Sequence, residues 1–218
     1  MIFGDNAGDN PLPSISAIMQ SGNLYGYCMN DPVNFVDSNG RWKADVHYND
    51  TYAIARELGF DEEDANIIAY SDNYVDKDPK TQPITVAESN LSWHFDRNEG
   101  TPDTRAVHSD ECMQQAIKLA RSAKRRGDSE MMKRAFQTLG KGLHPLQDMD
   151  AHGNWAEGEK IVLPHGIPFE MQQYDDTNYD WASDGSGLVW TGRENSQRYQ
   201  ETLRATKQYI QTFLDAVK

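Results

Sequence analysis

The stretch "EMMKRAFQTLGKGLHPLQDMDAH", residues 130–152, decides the fold, because it predicts a long helix with an unusual second half. Ser129 stands just before it and is a good N-cap residue. A core helix would carry leucine and alanine in its second half, yet His144, Asp148 and His152 occur there at intervals of four. The sequence therefore predicts a helix whose C-terminal half carries polar chemistry on one face.

The spacing of these three residues indicates metal binding. Residues four apart lie one turn apart on one face of an α-helix, so His144, Asp148 and His152 form a strip of imidazole, carboxylate and imidazole. Zn²⁺ prefers such ligands. The strip is about 12 Å long, which is too long for one ion and suits two ions with Asp148 as a bridge. Pro145 should bend or restart the helix here, because proline removes a backbone hydrogen bond.

Most of the remaining chain also has helical patterns, which end in loops rich in proline, glycine and aromatic residues. Residues 77–104 contain three prolines, and residues 153–192 have no clear period, so both are predicted as mostly loop. The predicted fold class is all-α: a multi-helix bundle with long loops, preceded by an irregular or β-like N-terminal segment. The further predicted helices are 49–59, one starting at Asp61, 109–126 and 193–218.

Composition limits the possible functions. The chain has 218 residues and a formal net charge of -13, which argues against a stable nucleic-acid complex held by bulk charge. The basic residues between 118 and 126 fit the solvated C-terminal half of a helix. Mean hydropathy is -0.78, and neither a membrane-spanning run nor a signal peptide is visible. Two cysteines cannot form a disulfide framework.

Three further residues are candidate ligands from separate segments. His47 lies in "DVHYND", Asp76 ends "YSDNYVD", and His94 lies in "SWHFD". Each has an ordinary interpretation by itself. His47 and Asp76 could be caps or surface residues, and a histidine between two aromatic residues is often buried against a backbone carbonyl. Only their combination with the helical strip favours metal binding.

The segment "SGNLYGYCMNDPVNFVDSNG", residues 21–40, resembles the closing pattern of the Rhs/YD-repeat core. Ser38 departs from it, since the family usually has proline there. The resemblance implies that residues 1–41 are the end of an Rhs shell and that residues 42–218 are a cargo domain, often a toxin. The matching residues are Asn23, Leu24, Tyr25, Tyr27, Asn30, Pro32, Val33, Asn34, Asp37 and Gly40.

The cargo segment resembles the zinc-dependent phospholipase C-like clan, which includes single-strand-specific zinc nucleases. The matching pieces are "DVHY", "DANIIAYSDNYVD", "HF" and "LGKGLHPLQDMDAHG". The strip H-x-x-x-D-x-x-x-H is shorter than in the secreted phospholipases, which leaves the substrate open. The last carboxylate is also open among Glu170, Asp175 and Asp176, with Asp175 preferred. The implied metal ligands are His47, Asp76, His94, His144, Asp148, His152, His165 and Asp175.

The two resemblances together imply a function. They imply a phospholipase C-like bundle that holds two or three Zn²⁺ ions and hydrolyses a phosphodiester, with Asp76 and Asp148 as catalytic carboxylates. Phospholipid is the first expected substrate, and nucleic acid is the alternative. A non-enzymatic alternative is a metal-stabilised binding domain. The expected setting is an effector that is secreted or delivered to a target cell with the rest of an Rhs shell, with a cognate immunity protein as a further partner.

Overall fold

The computed structural model describes residues 44–81, 93–94, 105–151, 177–183 and 188–218, and all structural statements concern these residues. They form a mostly helical structure, which confirms the predicted all-α class. The two-domain prediction is not tested, because residues 1–43 lie outside the described residues. In chain order, the elements are a π-helical segment Asp45–Asp50, α1 Thr51–Glu57, α2 Glu62–Tyr74, α3 Arg105–Arg126, α4 Ser129–Ala151, β1 Tyr179–Trp181, β2 Leu188–Trp190, a 3-10 turn Arg193–Asn195 and α5 Gln197–Val217.

Local sequence signals set most helix ends. Asp61, where the helix was predicted to start, caps α2 by accepting a hydrogen bond from the Asp64 backbone N–H at 2.8 Å. Gly59 and Gly127 have φ of 98° and 64°, the left-handed conformation that glycine adopts most readily after a helix. The predicted N-cap of α4 is wrong by one residue. The Asp128 carboxylate, rather than Ser129, accepts from the Met131 N–H at 2.9 Å.

Two predicted boundaries need correction, and one pair of elements was not predicted. Helix α3 begins at Arg105 instead of residue 109. Helix α4 does not restart at Pro145, which lies inside one continuous helix. The antiparallel strands β1 and β2, in which Asp180 is opposite Val189, lie in the region predicted as loop. Each strand has three residues, too few to show an alternating pattern in the sequence.

The apolar core lies where α4 packs between α2, α3 and α5. Phe136 of α4 contacts Phe60 and Phe213 edge-on, with ring centroids 5.4 and 6.2 Å apart. The last helix, α5, contributes Ile210 and Phe213, which are buried. Other buried members of this cluster are Ile68, Met113, Ala116, Ile117, Ala120, Leu139 and Leu143.

Glycine at position 140 lets α4 approach α2 closely. A Cβ atom added to Gly140 would lie 2.1 Å from the Ile68 carbonyl oxygen and 3.0 Å from the Ser71 Cβ. Only glycine fits here without a shift of one helix. Ile68 and Gly140 each lie four residues, about one turn, before a polar residue of the site: Asp72 on α2 and His144 on α4. The close approach therefore fixes the distance between these two residues.

The basic residues at the end of α3 satisfy the C-terminal carbonyls of α5. The Arg121 guanidinium donates to the Ala216 carbonyl at 3.0 and 2.8 Å, and the Lys124 ammonium donates to the Val217 carbonyl. Both side chains remain exposed, as predicted for a helix end. They offset the negative end of the α5 dipole. Among the described residues, no helix is long and apolar enough to cross a membrane.

Candidate metal centre

Five of the predicted ligands converge in one buried cluster, which we call the His/Asp cluster. The side chains of His47, His144 and Asp148 have no exposed surface, and those of His94 and Asp76 are 1% and 7% exposed. Charged groups are almost never buried this deeply unless they are paired or bind metal. The structure therefore brings together residues that lie up to about 100 positions apart in the sequence.

Three structural elements and a buried loop residue supply the cluster. His47 lies in the π-helical segment, a conformation that is rare and often found at functional sites. Asp76 follows the C-terminus of α2. His144 and Asp148 lie one turn apart on α4, as the spacing predicts. His94 has the burial that its aromatic neighbours suggested.

The Nε2 atom of His144 lies at the centre of one set of contacts. It is 3.2 Å from Asp76 Oδ1, 3.6 Å from Asp148 Oδ2 and 3.2 Å from His94 Nδ1. The His94 Nδ1 atom is itself 3.6 Å from Asp76 Oδ1 and 3.5 Å from Asp148 Oδ2. These five distances join two ring nitrogens and two carboxylate oxygens, which we call the four-atom group.

The spacing within the four-atom group is compatible with zinc. With zinc–nitrogen and zinc–oxygen bonds of about 2.0–2.1 Å, two ligand atoms of a tetrahedral ion lie about 3.3 Å apart. The five observed distances are 3.2–3.6 Å. Hydrogen bonds between nitrogen and oxygen are about 2.7–3.2 Å long. Three of the five distances exceed this range, so the group could hold a metal ion.

The ring of His94 is oriented by the backbone. Its Nε2 atom lies 2.7 Å from the Thr81 carbonyl oxygen, which can only accept, so this nitrogen carries the proton. The Nδ1 lone pair then faces the other three atoms of the four-atom group. Histidine ligands commonly donate their second N–H to a carbonyl or a carboxylate. His94 can therefore contact a backbone carbonyl, as expected of a buried histidine, and still be a candidate metal ligand.

Asp148 contacts two different groups of atoms. While its Oδ2 atom belongs to the four-atom group, its Oδ1 atom lies 3.5 Å from His47 Nε2. The His47 and His144 rings stack with centroids 4.2 Å apart. The bridging of two ions by Asp148 stays a prediction.

Charge strongly perturbs the pKa values of these residues. Burial opposes protonation of His47, yet the Asp148 and Asp72 carboxylates outweigh it and hold the pKa of His47 well above its usual value. For His144, burial is outweighed by Asp76 and Asp148, which raise the pKa to about 9. Burial and the nearby His144 lower the pKa of His94 to about 4. Although burial opposes it, His144 and His47 hold the pKa of Asp148 well below its usual range.

The residues present fit a cation. Among the described residues, His47 Nε2 has no hydrogen-bond partner, although it is buried. The lone pair of His94 Nδ1 and the Nε2 atom of His144 face each other at 3.2 Å, where a proton or a metal ion must sit between them. Two overlapping sets, His47–Asp76–His144 and His94–His144–Asp148, could hold a metal ion. The buried His/Asp cluster is therefore a candidate metal centre.

Sequence reasoning missed three residues that surround this centre: Asp72, Thr51 and Gln147. Asp72 Oδ1 lies 3.3 Å from His47 Nδ1 and 3.5 Å from His144 Nδ1. Gln147 Oε1 lies 2.6 Å from His47 Nδ1. One sequence signal was available, because Asp72 stands four residues before Asp76, the interval seen on α4.

The other predicted ligands cannot be compared with the structure. His152, His165 and Asp175 lie outside the described residues, as do the alternatives Glu170 and Asp176. Their roles stay predictions.

The fold and the site define the class of this protein: it is an all-α protein with a buried His/Asp cluster that could hold a metal ion. A family model described as a family of unknown function, DUF6765, matches residues 43–132, less than half of the chain. The matched span includes His47, Asp76 and His94 but ends before His144. Neither a curated protein nor a solved structure matches the chain.

Proposed function

We propose that this protein is a zinc-dependent phosphodiester hydrolase. The observation that carries the proposal is the position of Asp148. Its Oδ1 atom faces one nitrogen of His47, and its Oδ2 atom faces one nitrogen each of His94 and His144. A carboxylate shared in this way is typical of sites that hold two metal ions. Paired ions about 3.5–4 Å apart are common in phosphatases and nucleases, because they can contact both the attacking and the leaving oxygen.

The side chains have separable roles in this proposal. When bound, zinc lowers the pKa of water and offsets negative charge on a phosphoryl oxygen. His94 and His144 would hold the first ion with the two aspartates, and Asp148 would also hold the second. Asp76 is the most exposed of the five cluster residues, so it is the better placed carboxylate to accept a proton from water. Asp148 is fully buried and serves as a ligand.

Phospholipid is the proposed substrate, with phosphodiesters of nucleic acid as the second candidate. The net charge of -13 opposes binding of a long polyanion, whereas it affects a single zwitterionic head group less. The Rhs-like segment at residues 21–40 supports delivery of the domain as a toxin from a larger shell, with an immunity protein in the producing cell. We expect no stable nucleic-acid complex.

Metal analysis combined with two hydrolysis assays tests the proposal. The purified chain should contain about two zinc ions and hydrolyse a phosphatidylcholine analogue faster than single-stranded DNA. Asp148→Ala should remove both zinc and activity, because it deletes the shared ligand. Asp110→Ala is the matched control, since Asp110 is exposed on α3 outside the cluster. A chain without transition metal, or an active Asp148→Ala variant, would contradict the proposal.

One observation favours a metal-stabilised binding domain as the second candidate. The four-atom group comes from four protein residues with almost no exposed surface, and closed four-ligand sites are usually structural. Such a domain would bind zinc and gain stability from it but would hydrolyse neither substrate. Zinc binding without hydrolysis in the same assays would therefore select this candidate over the enzyme.

A further inference from the structure

A hydrogen-bonded network adjoins the outer side of the His/Asp cluster. Asp72 lies in the last turn of α2 and is fully buried. Its Oδ2 atom accepts a hydrogen bond from the Thr51 hydroxyl at 2.8 Å. Its Oδ1 atom has no hydrogen-bond partner among the described residues and lies between the Nδ1 atoms of His47 and His144, at 3.3 and 3.5 Å.

The amide of Gln147 is oriented by two hydroxyl groups. Since the Thr51 hydroxyl gives its proton to Asp72, it can only accept from Gln147, and the Gln147 amide nitrogen lies 2.9 Å away. The same nitrogen donates to Thr206 at 3.0 Å. The amide oxygen therefore points the other way, towards His47 Nδ1, 2.6 Å distant.

These donors and acceptors determine which nitrogen carries a proton in the rings of His47 and His144. His47 Nδ1 faces two acceptors, the Gln147 amide oxygen and the Asp72 carboxylate, so it must carry a proton. His144 Nδ1 faces the same carboxylate oxygen. With Nδ1 protonated, the lone pair of each ring lies on Nε2, the atom that faces Asp148 in both cases.

We propose that Asp72 and Gln147 are positioning residues that select the Nδ1–H tautomer of His47 and His144, and that Asp72 acts on both ions whereas Gln147 acts on the ion at His47. Asp72 lies beside both rings, and of these two rings Gln147 is hydrogen-bonded to that of His47. The inference rests on the metal-binding part of the proposed function. Changes to such outer residues typically lower metal affinity about 10–100-fold.

The different roles of Asp72 and Gln147 are tested by measuring the affinity of the full chain for each of the two zinc ions. Zinc is titrated in competition with a chromophoric chelator, and His47→Ala identifies which affinity belongs to the ion at His47. Asp72→Asn should weaken both affinities about 10–100-fold. Gln147→Leu should weaken only the affinity that His47→Ala removes, and should leave the other within about twofold.

A matched control separates positioning from general stability. Thr202→Val changes a fully buried threonine of α5 whose hydroxyl donates to the Arg198 carbonyl at 3.1 Å. It should alter thermal stability without altering either zinc affinity. If Asp72→Asn leaves both affinities within about twofold, or if Gln147→Leu weakens both equally, the inference is overturned.

Nitrogen-15 NMR of the zinc-loaded protein gives a second readout that does not depend on activity. Long-range proton–nitrogen correlations should show His47 and His144 with protonated Nδ1, and His94 with protonated Nε2. A protonated Nε2 on His47 would overturn the assignment.

A wild-type chain that binds zinc and shows these tautomers, but hydrolyses neither substrate, contradicts the proposed enzyme and leaves this inference standing. A chain that binds no zinc overturns both.

Discussion

The two ends of the α2–α4 helix pair have opposite chemistry. Towards their N-termini both helices contribute apolar side chains to the core. Towards their C-termini the same faces become polar, although they remain buried. The change occurs just beyond the contact of Ile68 with Gly140. Beyond it lie Ser71, Asp72 and Asn73 on α2, and His144, Gln147 and Asp148 on α4.

This difference shows how one helix pair can contribute to both an apolar core and a candidate metal centre. The apolar end is stabilised by burial alone, whether or not a metal is bound. The polar end places three carboxylates and three imidazoles in a region without solvent, which is costly unless a cation offsets their charge and orders their lone pairs. The two ends should therefore respond differently to zinc.

Zinc removal should have the largest effect. At zinc concentrations 1000-fold above the dissociation constant, binding stabilises the folded state by about 4 kcal/mol, which raises the melting temperature by about 10 °C for a chain of this size. A chelator should reverse this shift in a thermal melt. Asp148→Ala should abolish it, because both ions lose a ligand. An unchanged zinc-dependent shift in Asp148→Ala would show that the polar end does not bind the metal.

Truncation at the apolar end should destabilise the protein independently of zinc. Leu139 is fully buried in the core, so Leu139→Ala should lower the free energy of unfolding by about 3 kcal/mol. Denaturant titrations with and without zinc should give the same loss. Zinc affinity should stay within about twofold of wild type. A loss that depends on zinc would mean that the two ends are not independent.

Gly140→Ala should affect both ends, because this residue lies at the boundary. Separating α2 from α4 to admit the Cβ atom should cost about 1–3 kcal/mol and lower zinc affinity about tenfold. Gly127→Ala is the control. The φ of Gly127, 64°, makes alanine unfavourable there by about 1 kcal/mol. The space around Gly127 is open, and the residue is distant in sequence from the cluster. If both variants bind zinc like wild type, the close approach does not position the cluster.

Raising the pH should have the smallest of these effects. It should lower the stability of the metal-free protein but raise the affinity for zinc. The pKa of His144 is about 9 in the folded state, above its ordinary value of 6.5, so its proton stabilises the metal-free protein below pH 6.5 and this contribution is lost as pH rises to 9. Zinc displaces that proton. Zinc affinity should therefore rise about tenfold per pH unit for each proton released, which proton-release calorimetry measures. A pH-independent affinity would contradict imidazolium displacement.

Sequence spacing predicted part of the site well. The interval of four between His144 and Asp148 has a fixed meaning on a helix, so their shared face followed without any tertiary information. His47, Asp76 and His94 were added through resemblance to a known clan. The structure places all three beside the α4 pair. Their spacing in sequence could not have shown this.

The sequence by itself determined the helices, the two glycine stops and the imidazole–carboxylate strip, because these depend on contacts within a few residues. Only the tertiary structure decided which carboxylates face which nitrogens. It made Asp72 a neighbour of two histidines and oriented Gln147 between Thr51 and His47. Such relations join residues many positions apart, so they depend on how closely the helices pack, and a glycine at position 140 sets that distance.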